Sequence, residues 1–247
     1  MTTPPVPKEA LAYFRSKGYK LSWGYQDVWK DEHTRAFTVA KATTQDLLID
    51  IRKSVDDALA NGTTLAQFKK ELLPKLADQN WVGRKTLPDG SSVELGTPRR
   101  LKTIYDTNMR VARSAGKWER IEQTKAALPY LMYSLGPSQE HRQQHVAWEG
   151  IVLPVDDPFW DTHYTPNGWG CKCIVRQLST SAAEKRGISK APKKETVSWK
   201  NKRSGKTEKV PVGIDPGWDY NPGKSRMSNT AKFAKEKSEE FKQVVSA

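Results

Sequence analysis

The sequence predicts an α+β protein: a predominantly helical N-terminal half, a small mixed α/β module, and a basic, loop-rich C-terminal tail. Three observations predict it. Apolar residues recur at helical spacing through most of the first half. After Pro129 the pattern changes to short apolar runs bounded by turn residues. The end of the chain is rich in Lys, Ser and Pro: residues 181–247 hold 16 Lys/Arg against 8 Asp/Glu, which is +8 of a net charge of +13. The expected divisions are 1–96, helical with a hairpin near 84–95; 97–180, a long helix plus the small module; and 181–247, the basic tail with a hairpin.

In order, "PKEALAYFRSKG" predicts a short helix that Gly18 caps. "YQDVWKDEHTRAFTVAK" continues the helical reading, with Val28, Phe37 and Val39 apolar. Thr43 or Thr44 caps the next helix, whose stripe is Leu47, Leu48, Ile51, Val55, Ala58 and Leu59. Thr63 or Thr64 starts another, with Leu65, Phe68, Leu72 and Leu76 on one face. "RKTLPDGSSVEL" reads as a hairpin around a Pro-Asp-Gly turn. Thr97 caps a long helix from about 98 to 127, with Pro98 in its first turn and Leu101, Ile104, Met109, Ala112, Ala115 and Trp118 buried. "YLMYSLG" reads as a buried strand, "SQEHRQQHVAWEG" as a short helix ending at Gly150, and "CKCIVRQLS" as a second strand. In the tail, "VSWKNKRSGKTEKVPV" suggests a hairpin and "GIDPGWDYNPG" a cluster of turns. Residues 228–246 read as a short amphipathic helix or as disorder.

Composition narrows the function classes. No apolar run is long enough to span a bilayer, so no membrane partner is expected. The first ten residues lack the basic-then-apolar layout of a signal peptide, and a cytosolic origin is expected. The positive balance suits a polyanion such as nucleic acid, with Lys193, Lys194, Lys200, Lys202, Arg203 and Lys206 as the candidate contacts. No phosphate-binding glycine loop, nucleophile elbow or His-Glu-x-x-His motif is present, and no enzyme is expected.

The chemistry candidates converge on one loop. His141 and His145 are four apart on a predicted helix, so their rings share a face. Cys171 and Cys173 are two apart on a predicted strand, so their sulfurs share a side. Two nitrogens and two thiolates satisfy tetrahedral zinc, with His163 as a rival ligand. The plainer reading makes the cysteines small core residues and His145 a hydrogen-bonded core histidine. A Cys nucleophile with His145 as base, beside Asp156, Asp157 and Asp161, is a third reading; Asp-Asp-Pro is equally a helix-start device. The dense aromatics from Trp148 to Trp169 suit pinning of an irregular loop more than base stacking.

These residues resemble a known family. "RQQHVAWEG" followed by "LPVDDPFWDTHYTPNGWGCKC" is similar to the signature of phage Mu F-like minor head proteins, also called phage head morphogenesis proteins. Arg142, His145, Gly150, Pro166, Cys171 and Cys173 occupy the signature positions, with Lys172 replacing the usual Arg. "KGYKLSWGYQDVWKDEHTRAFTVAK", "LGTPRRLKTIYDTNMRVARSAGKWERI" and "GIDPGWDYNPG" resemble further family segments in the same order, so the likeness covers about residues 8–223.

The resemblance implies a minor capsid protein that acts in procapsid assembly and in DNA packaging or ejection. Its implied partners are the portal protein, the major capsid protein or scaffold, and packaged double-stranded DNA. Its implied place is the inside of the head, after assembly in the host cytoplasm. Members that look like zinc binders carry a Cys where Arg142 stands and a His where Gly168, Trp169 and Gly170 stand. Zinc here would need His141 or His163 to fill in. Arg142 is instead expected to pair with Asp156 or Asp157 and hold the loop down. The resulting expectation is a loop clamp: Pro166, Asn167 and Gly168 make the turn, and Trp169 fills the core. Two alternatives stay open: a metal-dependent hydrolase or nuclease, and a DNA-binding assembly factor that leaves the particle.

Overall fold

A computed structural model describes residues 7–86 and 90–245, with side chains through Lys235. The elements in the first half are α1 (Lys8–Arg15), β1 (Gly18–Tyr19), two 3-10 turns (Tyr25–Asp27 and Lys30–Thr34), β2 (Ala36–Phe37), α2 (Gln45–Asn61), α3 (Leu65–Asp78), β3 (Arg84–Thr86), β4 (Ser92–Glu94) and α4 (Pro98–Thr124). The second half holds β5 (Tyr130–Ser134), α5 (Gln143–Trp148), β6 (Val152–Pro154), α6 (Phe159–His163), β7 (Ile174–Leu178), α7 (Thr180–Arg186), β8 (Thr196–Lys200), β9 (Thr207–Pro211) and α8 (Pro222–Val245). The fold is α+β.

Threonine side chains start the main helices. Thr44, Thr64 and Thr97 each accept a hydrogen bond from the backbone N–H three residues on, which occupies a donor the first turn leaves open. Gly62 closes α2 in the left-handed region. All six expected apolar residues of α2 and all six of α4 are buried. α4 is the spine of the molecule. α1, α2, α3 and α8 all pack on it. Gly116 permits the close approach of α1: a Cβ there would lie 2.5 Å from the backbone nitrogen of Ala10.

The second half carries a three-stranded antiparallel sheet in the order β6–β5–β7. Leu131 pairs with Leu153 on one side and Gln177 on the other, and Tyr133 pairs with Val175. Leu131 and Tyr133 point into the core with no exposure. No helix among the described residues is long and apolar enough to cross a membrane.

Three expectations change, and a fourth lies partly outside the described residues. Gly18 does not cap α1; Ser16 does, and Gly18 opens β1. Residues 25–41 are two 3-10 turns and a two-residue strand rather than a helix. Val28, Phe37 and Val39 are buried there, but Lys30 sits at φ 50°, a conformation that a continuing α-helix excludes. The expected hairpin near 84–95 forms between β3 and β4, while Leu87–Asp89 of its turn lie outside the described residues. The C-terminal region is not a loop-rich tail. It holds the expected hairpin, β8–β9, and then a helix of 24 residues. Pro222 opens that helix, and Asn221 Oδ1 accepts from the N–H groups of Gly223 and Lys224. The helix is then tied down by Arg226 to Glu119 and by Asn229 to Thr34.

Candidate functional site

The loop between α6 and β7 is held by the segment 213–218, far away in sequence. Thr165–Pro166 is a cis peptide. Asn167 is fully buried. Its amide donates to His163 O at 2.9 Å, and its Oδ1 accepts the Tyr133 hydroxyl at 3.0 Å. Its carbonyl accepts the Asp215 N–H at 3.0 Å. Asp215 in turn accepts from Trp169 N–H at 2.7 Å and from Arg142 at 2.9 Å. The three groups leave no room for a side chain at Gly168, where a Cβ would lie 2.3 Å from Asp215 Oδ2.

The partners that hold the loop differ from those expected. Arg142 pairs with Asp215, not with Asp156 or Asp157. Asp156 meets Lys125 at 3.0 Å. Asp157 accepts the N–H of Phe159 at 2.8 Å and starts α6. Gly150 takes φ 78° after α5. Trp169 does not fill the core: it is 43% exposed and stands edge-on to Trp218. The core position belongs to Trp148, which stacks on His145 at 5.1 Å and meets Tyr133, Phe159 and His163 edge to face.

His145, Cys171 and Cys173 come together, with their ligand atoms all within 4.8 Å of one another and all three residues buried. The cysteines precede β7 rather than lying in it. His145 Nε2 lies 2.9 Å from Gly213 O. A carbonyl only accepts, so Nε2 carries the proton and Nδ1 faces Cys173 Sγ at 3.5 Å. The hydrogen bond between the two thiols lowers the pKa of Cys173 and raises that of Cys171, and burial opposes the first shift. A thiolate formed here sits on Cys173.

Neither expected fourth ligand joins them. His141 lies ahead of α5, which begins only at Gln143, so it does not share a helix face with His145. His163 is buried elsewhere, stacked on Phe159 at 4.2 Å with Nδ1 against Thr162 at 2.8 Å. Burial, then Lys194, pushes its pKa down to about 4. Two sulfurs and one nitrogen oriented by a backbone carbonyl suit three corners of a zinc site. The same three groups also satisfy one another without a metal.

The chain's similarity to known proteins follows the same residues. Residues 49–176 match the family described as phage Mu protein F like protein. The chain belongs to this family. It is 37% identical over 237 residues to "Putative capsid assembly protein F" of Escherichia phage Mu, covering 88% of the chain and 54% of that protein. It is 34% identical over 219 residues to "Mu-like prophage FluMu F protein" of Haemophilus influenzae, covering 82% of the chain and 53% of that protein. The chain thus spans about half the length of the curated relatives it matches. No solved structure matches it.

The family match contains His145, Cys171 and Cys173 but ends before Gly213 and Asp215. The "GIDPGWDYNPG" segment signals turns; nothing in its spacing signals that it locks the Cys-x-Cys loop. The suggested nucleic-acid contacts lie on and before the β8–β9 hairpin, all exposed. Two are engaged: Lys194 donates to Pro158 O at 3.0 Å, and Arg203 pairs with Asp27 at 2.8 Å. A second basic region escapes the sequence reading. Arg110, Arg113, Lys117 and Lys172 line a cavity of about 310 Å³ beside both cysteines. Helical spacing on α4 carries that signal, since positions 110, 113 and 117 share a face.

Proposed function

We propose that this protein is a minor capsid component of a tailed phage, acting in head assembly and contacting the portal, the inner shell and packaged DNA. The observation that carries the reading is its similarity to a capsid assembly protein over nearly nine-tenths of the chain. The shape of the candidate site agrees with a structural role. Most of its polar groups are closed on one another, and Asp215 and Gly213 spend their hydrogen bonds on fixing a loop. The exposed lysines of the hairpin supply the charge for phosphate contacts, which weaken as salt releases counterions.

The test is the composition of purified particles. The chain is expected in DNA-filled heads, and phage lacking it are expected to yield few of them. Normal heads in its absence would sink the assembly reading. Formation of heads that never contain the chain would instead make it a transient assembly factor. A nuclease or hydrolase reading requires plasmid cleavage with a divalent metal that His145→Ala abolishes.

A further inference from the structure

A second buried place lies away from the cysteines. Between the 3-10 turns, the first half of α4 and residues 216–220 is a cavity of about 190 Å³. Tyr25, Trp29, Trp169 and Trp218 line it. Their rings form a continuous run: Tyr25 to Trp29 at 6.2 Å, Tyr25 to Trp169 at 6.0 Å, and Trp169 to Trp218 at 5.1 Å. Ile104 on α4 adds an aliphatic wall.

Lys17 also lines this cavity. The residue is only 7% exposed. Its ammonium lies 4.6 Å from the Tyr13 ring centre and makes no hydrogen bond or ion pair among the described residues. The charge that acts on it is another cation, Arg52; burial first, and Arg52 second, push its pKa down to about 7. Nearby basic side chains do find acceptors. Arg100 reaches the carbonyls of Ala40 and Glu94, and Arg52 reaches those of Arg15 and Lys17. The Lys17 ammonium lacks a counter-charge among the described residues yet is not fully sealed from solvent, so an external anion can reach it and would supply one.

We propose that this cavity is a docking site for an aromatic side chain of a partner protein, anchored by a neighbouring carboxylate that meets Lys17. Size selects a side chain over a metabolite. Small-molecule sites usually occupy about 300–1,000 Å³, whereas a cavity of about 150 Å³ already admits a benzene ring. The wall of rings suits edge and face contacts with an inserted ring, and a single buried aromatic is a common interface anchor. That the partner is another head protein rests on the assembly reading above; the ring-and-carboxylate chemistry does not.

The test uses the full purified chain at neutral pH and titration calorimetry. The probes are a short peptide ending in phenylalanine as its free acid, the same peptide as its amide, and 3-phenylpropionate. The acid is expected to bind about tenfold more tightly than the amide, the value of one charge-assisted hydrogen bond. Lys17→Met should remove that difference while leaving the amide's affinity unchanged. Thr107→Phe, which places a ring in the cavity, should abolish both. Folding of each variant is checked by its melting curve, and Lys17→Gln provides a second neutral side chain. Equal binding of acid and amide, or no binding of either, overturns the proposal. So does 3-phenylpropionate binding as tightly as the peptide acid, which would mark a small-molecule pocket. Each outcome is read on the isolated chain, so a failure here leaves the particle test standing.

Discussion

His145, Cys171 and Cys173 are buried as deeply as Lys17, all of them between 3% and 8% exposed, yet the two places follow opposite rules. Around the cysteines the ring nitrogens and the sulfurs each have a polar neighbour. His145 is bracketed by Gly213 and Cys173, and the thiols face each other. Around Lys17 the neighbours are rings and a like charge. The first arrangement closes nearly all of its interactions on itself, with Arg142 Nη1 left over, so it holds a loop. The second leaves one unmet, so it is the better place to look for something that binds. Burial alone does not separate the two; the identity of the nearest acceptor does.

The largest way to break the contrast is to open the closed site. Trp148 fills the space between His145, Tyr133, Phe159 and His163. Trp148→Ala is expected to cost about 3–5 kcal/mol in urea unfolding, the range for deleting a large buried ring. A cost below about 1 kcal/mol would mean that the loop is held by Arg142 and Asp215 alone.

A smaller change sharpens the same side of the comparison. Cys173→Ser keeps a donor and acceptor but shortens the reach to His145 Nδ1, now 3.5 Å. The expected loss is about 1–3 kcal/mol, as for a buried polar group left poorly paired. The loss should be equal with and without a chelator, and the chelator should leave the parent's melting temperature in place. One zinc per chain, with a melting temperature that falls on chelation, would turn the clamp into a metal centre with its fourth corner filled from outside the three residues.

What the sequence can show follows from range. The stripes of α2 and α4 are properties of residues three and four apart, so Leu47 through Leu59 and Leu101 through Trp118 fall on buried faces by spacing alone. The β8–β9 hairpin is equally local. The clamp is not. Arg142 and Asp215 are 73 residues apart, and no periodicity links them, so a reading by proximity pairs Arg142 with the nearer aspartates. The misplacement of Trp169 has the same origin. Its neighbours Tyr25 and Trp218 come from opposite ends of the chain, and they meet it at the rim of a cavity rather than in a core. Lys17 carries no signal because a lysine in a sequence looks exposed by default.

Lys17 provides the finest test of the comparison, and its sign is opposite to the others. Its folded pKa is lowered from 10.5 to about 7. The unfolded chain therefore takes up the proton first as pH falls, and stability is lost between about pH 10.5 and pH 7. Arg52 presses on the same site from α2, while His33 on the second 3-10 turn, its own pKa pushed down to about 4 by burial, is uncharged in this range; neither supplies a counter-charge. Lys17→Met keeps the length of the side chain and removes the amine. A long stem can carry the amine toward water, which holds the penalty below the full value of the shift. The variant should therefore be more stable than its parent at pH 7 by about 1–2 kcal/mol, and the gain should shrink towards zero near pH 10.5. Comparing the variant with its parent in urea at both pH values isolates Lys17 from the tyrosines that titrate in the same range. A destabilised variant at pH 7 would show that Lys17 already has what it needs inside the fold, and the two buried sites would then obey one rule.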